Sequence, residues 1–76
     1  MKLTNQQIRM MQEETTAQLV ELLVRDRHLS VEEGLDVVYN SETYEKLMDT
    51  STGLYSQSAG YVYSFLSNEQ EYGRMG

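Results

Sequence analysis

Thr52-Gly53-Leu54-Tyr55-Ser56-Gln57-Ser58 carries no charge, lies between two helical patterns and places a leucine and a tyrosine directly after a glycine. A solvated linker rarely holds two such side chains, because exposing them forgoes the burial of a large apolar area. The heptad is therefore expected to be an ordered connector. Leu54 and Tyr55 should turn inward, Tyr55 between the third and fourth helices, and Gly53 should take a positive φ.

Downstream of this connector, Ser58 is placed to cap a helix from Ala59 to about Tyr72, with Tyr61, Val62, Phe65, Leu66 and Tyr72 on one arc. Tyr63 falls among Ser64 and Ser67, so it is expected on the polar face as a contact for a partner. The tail Gly73-Arg74-Met75-Gly76 is expected to fray. Upstream, Asp49-Thr50-Ser51-Thr52 is turn chemistry. Before it, a short helix over about 42–49 begins after Ser41, with Glu42 favourably near its positive end and an apolar edge of Tyr44, Leu47 and Met48. Ser30 and Glu33 fit an S-x-x-E capping box and open a helix over 31–39. Its inner face reads as Val31, Leu35, Val38 and Tyr39, its outer face as Glu32, Glu33 and Asp36. Gly34 costs about 1 kcal/mol relative to alanine in a helix, and close approach of another helix is the expected compensation.

The N-terminal pattern is the longest. Residues from about 5 to 27 contain no glycine or proline and bring Ile8, Met11, Thr15, Leu19, Leu22 and Leu23 back to one face. The second half is apolar over roughly 200°, wider than the roughly 100° stripe of a surface helix, so a cover on two sides is expected. His28 follows, where an imidazolium favours the helix dipole. The fold class is thus all-α: one domain over residues 1–76, with a long N-terminal helix and three shorter ones (about 5–27, 31–39, 42–49 and 59–72).

A chain of 76 residues buries only about 60% of its unfolded surface, so something beyond a core should stabilise it. There is no cysteine and only one histidine. Disulfides, thiolate chemistry and a histidine-rich zinc site are thereby removed, and self-association is the expected staple. The residues best placed at the seam of a homodimer are Val20 and Val24. No secretory h-region opens the sequence and no apolar run reaches about 18 residues, so no membrane association and a cytoplasmic location are expected.

Charge is unevenly spread. Up to His28 four basic residues balance four acidic ones, whereas residues 29–76 hold two basic against eight acidic and carry the whole net charge of −6. Such a surface repels nucleic acid and suits a basic protein partner.

No catalytic constellation, cofactor motif or metal-ligand set is legible. The pairs Glu32/Glu33 and Glu42/Glu45 lie on outer helix faces with no histidine or glycine-rich loop nearby, which is the pattern of a solvated surface. Ser30 to Met48 has the outline of a helix-turn-helix, but its second helix would offer Glu42, Glu45 and Asp49 against a single lysine, Lys46. Three carboxylates facing phosphates disfavour DNA reading by the isolated chain.

Over Leu29-Ser30-Val31-Glu32-Glu33-Gly34-Leu35-Asp36-Val37-Val38-Tyr39-Asn40-Ser41-Glu42-Thr43-Tyr44-Glu45-Lys46-Leu47, then Thr52 to Ser58 and Tyr61-Val62-Tyr63, the chain resembles a family of short bacterial proteins of unknown function. The resemblance covers about half the chain, from Leu29 to Leu66. Ala59 stands where that family often has a proline after the capping serine. Its members are encoded near small toxin-like or ADP-ribosyltransferase-like proteins, so the resemblance implies an antitoxin-like or accessory role and transfers no catalytic residue. The expected function is a non-enzymatic acidic interaction module, with Tyr55 and Tyr63 beside Val20 and Val24 as contact residues. The alternative is a helix-turn-helix regulator acting in a larger assembly.

Overall fold

The computed structural model describes residues 2–73, and within them every regular element is helical: α1 (Asn5–Arg27), α2 (Val31–Tyr39), α3 (Glu42–Met48) and α4 (Ala59–Tyr72). Two short 3-10 turns, Thr50–Thr52 and Leu54–Ser56, join α3 to α4. One long helix and three shorter ones is the arrangement expected from the sequence, with α3 ending one residue early.

Each helix start is fixed by a side-chain oxygen that takes up a backbone N–H with no partner inside the helix. At α2 the box is reciprocal: Ser30 Oγ accepts from the Glu33 N–H at 3.1 Å, and the Glu33 carboxylate accepts from the Ser30 N–H at 2.9 Å. That Ser30 backbone donor, helped by the Ser30 side chain, holds the Glu33 carboxyl below its ordinary range. Ser41 and Ser58 cap α3 and α4 as expected, accepting from the N–H groups of Tyr44 and Tyr61. A second box, Thr4 with Gln7, opens α1 and was not read from the sequence. At the other ends, His28 (φ 55°) and Gly73 (φ 78°) are left-handed C-caps. Gly73 donates its N–H to the Glu69 carbonyl at 2.7 Å, so it is tied to the helix. Residues 74–76, the rest of the tail expected to fray, lie outside the described residues.

The core is one cluster: Leu19, Val20 and Leu23 of α1, Val38 of α2, Leu47 of α3, Leu54 of the connector, and Val62 and Leu66 of α4. Burying each of these side chains contributes about 1.5–3 kcal/mol. Gly53 takes φ 70° between the two turns, which lets Leu54 point inward to 8% exposure. Tyr55 is half-buried against the core. The turn that carries it packs mainly on α1 and α3 rather than between α3 and α4, because α1 is long enough to run beside all three other helices and the connector.

Two sequence expectations change. Val20, assigned to a seam between molecules, is only 6% exposed inside one chain. The cause is Gly34: a Cβ there would lie 3.1 Å from Val20 Cγ1 and 3.5 Å from the Val20 carbonyl oxygen, so α2 settles onto α1 at the one α2 position with no side chain. Val24 beside it is half-buried. Most of the wide apolar arc of α1 is therefore covered within the chain. Gly34 and Val38 form the inner line of α2, which leaves Val31 and Tyr39, assigned inward, exposed.

On α4 Val62, Phe65 and Leu66 face inward as expected, but the tyrosines exchange sides. Val62 and Leu66 are buried, Tyr63 is half-buried, and Tyr61 and Tyr72 are exposed. Tyr61 and Tyr63 lie roughly 100° to either side of Val62 on the helix, so periodicity treats them alike. Tyr63 stands near Asp26 and Arg27 of α1 and packs on the core, whereas the exposed Tyr61 meets Phe65 of its own helix edge to face, ring centres 5.0 Å apart.

Candidate functional site

Beside the Gly34–Val20 contact, the surface between α1 and α2 carries an open groove. Its inner part is lined by Ala17, Val20, Glu21, Val24, Val31 and Leu35, of which only Glu21 is polar. Ala17 and Leu35 also line the next part, which continues over Thr16 to Tyr39, Tyr44 and Met48. The surface is thus one trough running along α1, from Val24 back to Glu13, a length of roughly 17 Å at about 1.5 Å per helical residue. Beyond Met48 it opens toward Ile8 and Arg9.

Local sequence explains why the trough is apolar and unfilled. Helical spacing puts Val31, Leu35 and Tyr39 on one line of α2, a step away from the Gly34–Val38 line that meets the core. Val31 is 61% exposed, Tyr39 54% and Met48 41%, a cluster of large apolar side chains left in water. Tyr39 and Tyr44 meet edge to face with ring centres 5.1 Å apart and fix the wall where α2 passes into α3. The rims are acidic. Glu13 and Glu21 line the α1 side, and the exposed Glu32 and Asp36 each follow a lining residue of α2 by one position. Among the described residues no basic side chain lines either α1–α2 part of the groove; Arg9 stands at its far end.

A different chemistry holds α3 against its neighbours. The Glu69 carboxylate of α4 accepts from the N–H of Glu42 at 2.6 Å, from the N–H of Thr43 at 2.9 Å and from the Thr43 hydroxyl at 2.8 Å. It acts as a cap supplied from 26 residues downstream. At the other end, the buried Gln12 of α1 donates Nε2–H to the Leu47 carbonyl at 3.1 Å. Among the described residues every buried side-chain nitrogen and oxygen has a partner. Neither clamp was read from the sequence. The signal was there: Glu69 continues the Val62–Leu66 line, and a carboxylate on a buried line needs donors.

Of the four contact residues expected from the sequence, Val20 and Val24 line the groove, Val20 from its floor and Val24 from its edge. Tyr55 and Tyr63 do not join them. Tyr63 packs against the end of α1, where burial first, then the negative charge of Asp26, pushes its hydroxyl pKa up. The acidic pairs stay surface groups, and among the described residues no group of three or more His, Asp or Glu side chains is placed to hold a metal ion. No helix of the described residues is long and apolar enough to cross a membrane. Compared with protein-family models, with curated proteins and with solved structures, the chain matches none.

Proposed function

We propose that the chain is a non-enzymatic, acidic, all-helical interaction module that binds a basic protein partner. The observation that carries this reading is the groove: an apolar trough lined by Glu13 and Glu21 on its α1 side, with the exposed Glu32 and Asp36 next to its α2 lining residues. Contiguous exposed apolar surface edged by charge is the signature of a protein contact, and the sign of the charge selects the partner. The resemblance noted above adds a context, with a toxin-like protein as the source of the basic surface.

The alternative, a helix-turn-helix regulator, would read DNA with the N-terminal turn of α3. There Thr43 is fully buried and the Glu69 carboxylate occupies the backbone donors, which weighs against that use. The homodimer has lost its main sequence argument with the burial of Val20, and pairing two acidic rims opposes it further. The test is affinity capture from the native host at about 0.15 M salt, where surface charges are screened beyond about 8 Å. A basic protein should be recovered with the chain. Binding of duplex DNA that falls steeply with rising salt would overturn the reading in favour of the regulator.

A further inference from the structure

Resting on that reading, we propose that the segment the partner inserts is a basic amphipathic α-helix, seated lengthwise in the α1–α2 groove. Three features of the site select this occupant. One wall of the trough is a single helix, and its roughly 17 Å matches about three turns of a second helix. Its apolar contacts, Val24 and Val31, then Ala17 and Leu35, then Tyr39 and Met48, succeed one another along that line, as the i, i+3/i+4, i+7 anchors of a docked helix require. Carboxylates flank it: Glu13 and Glu21 line the α1 side, and on α2 the exposed Glu32 and Asp36 follow the lining residues Val31 and Leu35 by one position. A helix with an apolar stripe flanked on both sides by lysine or arginine places its cations at those carboxylates while burying its stripe. An extended strand would find no sheet edge to pair with, since the described residues hold no strand. A second copy of this chain would bring acidic rims together.

The test uses a designed peptide of about 18 leucine and lysine residues with helical apolar spacing, against a scrambled peptide of identical composition and charge. Binding is measured by fluorescence anisotropy at about 0.15 M salt. The helical peptide should bind at least about tenfold more tightly than the scrambled one. The double variant Ala17→Gln, Val31→Gln should erase that difference while keeping the parent's circular dichroism and melting temperature. Both positions are exposed, so the fold should tolerate it. Should the double variant melt early, Val31→Gln alone, at the first residue of α2, is the control and should narrow the difference. Equal binding of both peptides would overturn the seated helix while leaving a basic partner standing. Binding of neither would overturn the groove proposal, with host capture still judging the wider function. A parent that scatters light as a dimer at micromolar concentration, with a monomeric double variant, would make the second copy the occupant and overturn the proposal as well.

Discussion

The α1–α2 contact and the α3–α4 contact join helices in opposite ways. At the first, Gly34 faces Val20 with bare backbone, and the space a Cβ would need is already taken by Val20 Cγ1 and the Val20 carbonyl oxygen. At the second, one carboxylate takes three hydrogen bonds from the start of α3. The apolar contact relies on shape, so its energy is sensitive to a single methyl group. The polar contact relies on matched donors, so its energy is sensitive to the identity of a single acceptor. The difference also explains where the free surface lies. The α3 donors are satisfied within the chain, whereas close approach at one glycine leaves the larger α2 side chains on the next line unburied.

The sharpest way to break this comparison is at Val20. Val20→Glu would bury an unpaired charge and should cost more than about 3 kcal/mol, enough to unfold a small domain, while Val24→Glu, on the groove edge, should cost within about 1 kcal/mol. Equal melting temperatures for the two variants would show that Val20 is a surface residue. The next effect is at Gly34. Gly34→Val should destabilise by about 2 kcal/mol through crowding, and adding Val20→Ala should recover part of that loss in a double-mutant cycle by chemical denaturation. Purely additive losses would mean that the two residues do not touch.

Glu69→Ala tests the polar side and should cost about 1.5 kcal/mol, with Glu69→Gln, which keeps one acceptor oxygen, losing less. Amide exchange should localise the effect to the Glu42 and Thr43 N–H groups. If those groups exchange no faster, the cap is not formed in solution.

The smallest expected effects come from pH. Glu33 is held below the ordinary carboxyl range by Ser30, and Asp49 by the Ser51 hydroxyl and then its backbone N–H. A lowered folded pKa means stability that is complete above the unfolded value of about 4 and lost as pH falls through the lowered one. Ser30→Ala should flatten the acid side of a melting-temperature profile. Tyr63 has the reverse sign: its raised pKa contributes stability below about pH 10 that is lost as pH rises further, and Tyr63→Phe should remove that loss.

The parts of the fold legible in sequence are those set by local chemistry. Ser30, Ser41 and Ser58 mark helix starts because their side chains bond backbone groups three residues away, whatever the rest of the chain does. Gly53 marks the connector because few other residues take positive φ freely. The candidate site was legible only in fragments: its acidic charge and the valines of α1 were read, but not the groove they form with α2.

By itself the sequence determined an all-α chain, the placement of its four helices and its connector, and an acidic second part. Only the tertiary structure decided which face of each helix is inward. Tyr61 and Tyr63, or Val31 and Gly34, are near-equivalent flanks in a helical pattern, and the choice between them depends on where α1 passes. Periodicity fixes angles around one axis. Which angle meets a neighbour is set by the closest permitted approach of two backbones, and here that approach occurs at a glycine whose missing side chain contributes nothing to the hydrophobic pattern.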